Sequence, residues 1–173
     1  MKTKIKRDLP NFPNQVIEQW LEPYAKIDGW PPVAPRWKHL LGETDLDYWR
    51  GFCWHLGEVA FETIGLALEA ESRIAGLIGA YLHGAQNAYA LALGAEGKRR
   101  FEFQFDYLTK HSQLILPPVL VESASGFQVV DGYHRIAAYY VFKEVAKSPW
   151  VQREARSVVK AQDAWLLINS KDA

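Results

Sequence analysis

A chain of 173 residues that is 49% apolar can bury a substantial core, and its length suits one domain of the common size of about 100–200 residues. Twenty basic and twenty acidic side chains cancel, so the overall charge does not by itself indicate a nucleic-acid-binding domain. A single cysteine, Cys53, excludes an intramolecular disulfide and a thiolate-rich metal site, and it points to a reducing, cytoplasmic setting. The cancelled charge is nevertheless polarised. Residues 1–41 carry seven basic against four acidic side chains, residues 42–96 two against eight, and residues 98–160 ten against six. An anionic ligand would approach one end while the acidic segment faces elsewhere or meets a basic partner.

Lys2, Lys4, Lys6 and Arg7 are followed by Pro10 and Pro13 rather than by an apolar run, which predicts no secretory signal. Asn14 can cap a first helix whose Val16, Ile17, Trp20, Leu21 and Tyr24 share one face, and Gly29-Trp30-Pro31-Pro32 ends it. A loop containing Pro35 then leads to Thr44, a second cap candidate with Asp45 and Asp47 in the first turn. From about 44 to 97 the sequence predicts a mainly helical region. Leu56, Val59, Ala60 and Ile64 form one apolar stripe, Ile74, Leu77, Ile78, Tyr81 and Leu82 another, with a break between Gly65 and Ser72. The uncharged stretch Ile74 to Gly94 approaches the roughly 20 residues of a membrane span. His83, Gln86, Asn87 and several glycines within it predict a packed helix instead, and no membrane span. Glu58 and Glu62 are expected one helical turn apart on a solvated acidic face.

Lys98-Arg99-Arg100 precedes Phe101, Phe103 and Phe105, whose alternation fits either a short strand or the entry to a helix. Two roles follow: a nucleic-acid contact in which the cations meet phosphates and the rings stack on bases, or a solvated helix end beside core phenylalanines. Lys110 and His111 are candidates for a basic rim. Pro117-Pro118 leads into the strand Val119-Leu120-Val121, Ser123 to Gly126 make a turn, and Phe127 to Val130 form the returning strand of a hairpin. Arg135 to Val145 has the spacing of a helix packed on a sheet. Arg156 to Lys160 is expected as a further strand, and Asp163 as the cap of a last short helix containing Trp165, Leu166 and Ile168. Seven tryptophans are many for this length; Trp49 and Trp54 are expected to pack a helix on the domain, and the Trp-rich segment could also meet a protein partner. His39, His55 and His83 show no metal-binding spacing.

The chemistry concentrates in Asp131-Gly132-Tyr133-His134-Arg135, where a strand runs into a glycine and then a helix. The amides and dipole of a helix's first turn favour an anion, and a glycine lets backbone approach a phosphate. His134 and Arg135 add a tunable proton donor and a bidentate cationic fork, while Asp131 could orient them or hold a divalent metal. Each residue alone also has a structural role to fill: Gly132 a turn, Asp131 a cap, Arg135 a surface position.

The stretch from Leu116 to Ala138, with its proline-led strand, hairpin and Asp-Gly-x-His-Arg opening a helix, resembles the ParB/sulfiredoxin superfamily. More loosely, the likeness extends over Leu108 to Gln162. The resemblance implies an α+β fold: a small mixed sheet with packed helices, enlarged here by the large helical insertion, in a single domain over residues 1–173. In sulfiredoxins a catalytic cysteine precedes the His-Arg pair; Tyr133 stands there, so reduction of a sulfinic acid is not expected. The matching segment of chromosome-partition ParB proteins grips a nucleoside triphosphate through Gly-Glu-Arg-Arg, of which this chain keeps Gly132 and the last arginine, Arg135. A stand-alone member is implied, acting as a phosphohydrolase on a nucleoside triphosphate or DNA, an NTPase or nuclease. ATP or CTP and Mg²⁺ would be its cofactors. Asp131, His134 and Arg135 would be catalytic, Gly132, Tyr133, Lys110 and His111 would bind nucleotide, Lys98, Arg99 and Arg100 would bind nucleic acid, and Asp131 would hold the metal. Small plasmid-borne members inhibit DNA transfer between cells. The competing expectation is a non-catalytic inhibitor or adaptor that keeps the fold and binds a protein, favoured by the missing glutamate.

Overall fold

The computed structural model describes residues 1–33, 45–147 and 161–169. The expected Pro35 loop, the Thr44 cap, His39 and the Arg156–Lys160 strand lie outside the described residues. The chain opens with α1 (Lys2–Asp8) and a helical run made of α2 (Asn14–Val16), a π turn (Ile17–Leu21) and α3 (Glu22–Asp28). The predicted first helix is present, with Pro13 rather than Asn14 at its N-cap, and Gly29 ends it at φ 91°. Its expected face is the buried one: Val16, Ile17, Trp20 and Leu21 are fully buried.

After α4 (Leu46–Arg50) comes β1 (Phe52–Val59), then α5 (Leu68–His83), α6 (Ala88–His111), the hairpin β2 (Val119–Ser123) and β3 (Gly126–Asp131), α7 (Tyr133–Lys147) and β4 (Gln162–Asn169). The fold is mixed α+β around a four-stranded sheet of order β1-β4-β2-β3. Strand β4 pairs antiparallel with β1 from Phe52↔Asn169 to Val59↔Gln162, and parallel with β2 from Val119↔Trp165 to Val121↔Leu167.

Two elements overturn the sequence reading. The region from about 44 to 97 is not helical throughout, because Phe52–Val59 is an edge strand. Cys53 and His55 therefore sit exposed on a strand, and Glu58 and Glu62 do not share a helical face. Likewise Asp163 caps no helix: Trp165, Leu166 and Ile168 belong to β4, an inner strand. Strand β4 is a short apolar run in the sheet interior that carries no alternation, whereas β1 is largely exposed and its Leu56 and Val59 match a helical stripe, so periodicity alone does not separate either from a helix. The predicted hairpin and the helix after it are where the sequence placed them.

Alternation along the strands divides the core in two. Val119, Val121 and Leu167 join Ile5, Phe12, Trp20, Trp49 and Phe52 on one face of the sheet. Leu120, Val129 and Ala164 point to the other, where they meet Ile74 and Leu77 of α5, Leu108 of α6 and Ile136 and Tyr139 of α7. Trp49 is fully buried on α4 as expected, whereas Trp54, expected on a helix, lies on β1 and is partly buried in the same cluster. The helix of the uncharged stretch ends at Gly84, whose φ of 64° makes a left-handed cap, and Asn87 starts α6 by accepting from the Ala90 amide at 2.9 Å. Phe101, Phe103 and Phe105 lie inside α6, so the helical alternative holds there; Phe101 is buried and Phe103 exposed. Among the described residues no helix is long and apolar enough to cross a membrane.

Leu120 is fully buried at the centre of the helix-covered face. Leu120→Ala should cost about 2–5 kcal/mol of unfolding free energy, seen as a lower urea midpoint at unchanged m-value.

Candidate functional site

The motif assembles where β3 gives way to α7. Gly132 carries the turn at φ 109°, a value L side chains rarely adopt. A Cβ there would lie 2.8 Å from the Pro118 Cβ and 3.2 Å from the Arg135 Nε, so Gly132 also lets the turn close against the proline-led strand. The next turn of helix begins at once, with the Ile136 amide donating to the Gly132 carbonyl at 3.0 Å.

Arg135 is only 8% exposed. Its Nη1 donates to the Leu116 carbonyl at 3.0 Å and to the Pro117 carbonyl at 3.2 Å, and its Nη2 donates to the Asp131 carboxylate. The guanidinium thereby staples the start of α7 to the segment entering β2. The sequence reading of Arg135 as a surface residue or a freely offered fork is corrected by this geometry: most of its bonding capacity is spent inside the fold.

His134 is partly buried beside Arg135. Its Nε2 lies 3.3 Å from the Tyr81 hydroxyl and its ring stacks on Tyr81 at 6.0 Å and 19°. Burial, with Arg100 and Arg135 adding positive charge, lowers its pKa from 6.5 to about 4. At neutral pH the imidazole is therefore uncharged, and the expected role of proton donor reduces to that of a hydrogen-bonding group.

A cavity of about 230 Å³ opens here, lined by Arg100, Gln104, Ile115, Leu116, Asp131, Gly132, His134 and Arg135. Four of the five motif residues thus meet in one place, together with Arg100 from α6. Arg100 is held by its Nε to Glu96 at 3.1 Å and keeps an exposed side chain. Gln104 contributes an Oε1 that is buried without a hydrogen-bond partner. Neither Tyr81 nor Gln104 was singled out as a site residue from sequence. Tyr81 reads there as one more member of an apolar stripe, and no local pattern marks Gln104.

The remaining candidates are dispersed. Tyr133 turns away from Gly132 and is buried under Arg73, whose Cζ sits 4.9 Å from the Tyr133 ring and 5.1 Å from that of Tyr89. That places it on a second, larger cavity of about 580 Å³ that also includes Tyr48, Glu69, Glu122 and Gln128. Lys98 lines a third hollow between α5 and α6, near Gly84 and Gly94, and pairs with Glu102. Arg99 is bound to Glu96 at 3.0 Å. Lys110 and His111 are exposed at the end of α6, with His111 against Tyr107 at 4.3 Å, and neither lines the motif cavity. The acidic residue Glu62 is taken by Lys143.

The carboxylate of Asp131, the expected metal ligand, is engaged by Arg135, and among the described residues no group of three histidine, cysteine, aspartate or glutamate side chains is placed to hold an ion by itself, so a Mg²⁺ at Asp131 would need ligand oxygens from a bound phosphate.

No family model, curated protein or solved structure matches the chain.

The lowered His134 pKa fixes a pH dependence. The unfolded chain, with its histidine near 6.5, binds a proton that the folded state refuses until about pH 4, so stability contributed by neutral His134 is present above 6.5 and lost as pH falls through that window. Urea titrations of wild type and His134→Gln between these pH values should show the steeper loss in wild type. Equal slopes would contradict the burial of a neutral imidazole.

Proposed function

We propose that the chain is a phosphate-binding protein of ParB/sulfiredoxin type, which holds the phosphoryl group of a nucleotide or nucleic acid in the cavity at the start of α7. The observation that carries this reading is the convergence of Arg100, Gly132, His134 and Arg135 on that one cavity. Together they supply what an acceptor-rich anion needs: a helix start with a close backbone approach, the N–H groups of two guanidiniums that are also paired with Glu96 and Asp131, and a neutral hydrogen-bonding imidazole. At about 230 Å³ the space falls below the roughly 300–1,000 Å³ of pockets that enclose a drug-sized ligand. It suits a phosphoryl group and the atoms next to it, with the rest of the ligand outside. A ligand O–H or N–H would meet the unpaired acceptor of Gln104.

Binding is favoured over the hydrolysis expected from the sequence. An efficient general base is tuned near the working pH, whereas burial holds His134 well below it, at about 4, and the Asp131 carboxylate is engaged by Arg135. This weighs toward the non-catalytic inhibitor or adaptor, with phosphate recognition retained and the cytoplasm, suggested by the lone cysteine, as its setting. A nucleotide would then regulate or localise the protein rather than be consumed.

The test requires a variant that spares the fold. Arg135→Ala is unsuitable alone: it orphans two carbonyls and Asp131, at a stability cost on the order of 2–3 kcal/mol, moderated because Asp131 is 27% exposed. Arg100 is exposed and held only at the surface. Binding of ATP, CTP and a short single-stranded DNA should be measured by calorimetry at low and physiological salt, with phosphate release followed in parallel. Wild type should bind at least one of them, and Arg100→Ala should weaken binding about five- to tenfold with unchanged thermal stability. Rapid phosphate release by wild type would replace the binding reading with the hydrolase. Affinity that is indifferent to Arg100→Ala would remove the cavity from the account.

A further inference from the structure

Tyr81 is the contact through which the helical region reaches into the motif. Its hydroxyl lies 3.3 Å from His134 Nε2, and its ring is held between His134 on one side and Phe101, at 5.4 Å, on another. The hydroxyl occupies a notch that exists because residue 97 has no side chain: a Cβ on Gly97 would come within 2.4 Å of it. Gly97 is buried inside α6, where a glycine costs about 1 kcal/mol relative to alanine. An unfavourable residue thus sits where it makes room both for Leu93, whose Cβ would lie 2.7 Å from the added atom, and for a hydroxyl that has His134 as its neighbour.

Resting on the phosphate-binding reading, we infer that Tyr81 is a positioning residue that holds His134 in the Nδ1–H tautomer, so that the imidazole serves the cavity as a fixed hydrogen-bond donor to an acceptor-only phosphoryl oxygen. A phenol is the better donor and a neutral imidazole nitrogen the better acceptor, so the Tyr81 O–H donates to Nε2. The partner made by one ring nitrogen decides which nitrogen keeps the proton, and with Nε2 accepting, the proton resides on Nδ1. The only polar atom the ring then has for a ligand is a donor. Such a ring complements an ionised phosphate oxygen and discriminates against an ammonium group, which has no acceptor to offer it.

The direct readout is the tautomer itself. In the full chain labelled with ¹⁵N-histidine, long-range ¹H–¹⁵N spectra at neutral pH should show His134 with a pyrrole-type Nδ1 and a pyridine-type Nε2. Tyr81→Phe removes only the hydroxyl, and it should return the ring toward the Nε2–H form that free imidazoles favour. Gly97→Ala, which displaces that hydroxyl, should do the same. A wild-type Nε2–H ring, or one unchanged by Tyr81→Phe, overturns the inference whether or not any phosphate binds.

The functional arm uses inorganic phosphate. Tyr81→Phe should weaken it about three- to tenfold in wild type but hardly at all in a His134→Asn background, whose amide N–H stands in for Nδ1–H without needing Tyr81. Equal losses in both backgrounds would reduce Tyr81 to a packing residue. Phosphate that fails to bind wild type while the tautomer shifts as described would sink the phosphate-binding reading and leave the Tyr81–His134 coupling standing.

Discussion

A guanidinium that is 8% exposed requires acceptors, and those that Arg135 finds determine how the sheet and α7 are joined. The Leu116 and Pro117 carbonyls belong to the approach to β2, Asp131 ends β3, and Arg135 itself lies in the first turn of α7. One side chain therefore ties three consecutive parts of the chain. The tie needs Gly132, because the turn it closes has a positive φ and passes close to Pro118. The proline-led strand, the glycine and the arginine are parts of a single geometric solution. The cavity is what remains beside it.

Besides Ile115 from the segment entering β2, the other side chains that enter the cavity come from the helices laid over that junction. Strand β2 lies between β4 and β3, which fixes the height at which α7 starts, and α5, α6 and α7 pack on the same face of the sheet. Helix α6 bends at Gly94, where φ is 56° and ψ −146°, before its second half carries Arg100 and Gln104 to the cavity. The positive charge of Arg100 and Arg135 and the burial by these helices keep His134 uncharged. The cavity thus gathers two guanidinium groups, each paired with a carboxylate, Glu96 and Asp131, beside a neutral imidazole.

How much of this could be read from the sequence follows the range of the interactions. The hairpin, its turn and the helix from Arg135 are local, and turn residues and periodicity placed them correctly. The clustering of Asp131, Gly132, His134 and Arg135 was likewise legible, since a strand–glycine–helix junction holds neighbouring residues together. Strand β4 was not, because its partners are β1, more than a hundred residues earlier, and β2; a run such as Ala164 to Ile168 acquires its strand identity from those neighbours. Strand β1 was missed for the same reason, its Leu56 and Val59 matching a helical stripe by coincidence of spacing. Tyr133 was placed at the phosphate because it adjoins Gly132 in sequence, yet the first step of a helix rotates it toward Arg73. Conversely, Gln104 reaches the cavity from α6 and Tyr81 reaches His134 from α5, helices that a linear reading treats as a separate region.

The account stands or falls on where a phosphate sits. In a ¹H–¹⁵N correlation spectrum of the full chain titrated with inorganic phosphate, the account requires saturable shifts confined to the amides of Gly132, His134 and Arg135 and to the side chains of Arg100 and Gln104. Shifts centred instead on Arg73, Tyr89 and Tyr133 around the larger cavity, or no saturable shifts at all, would contradict it.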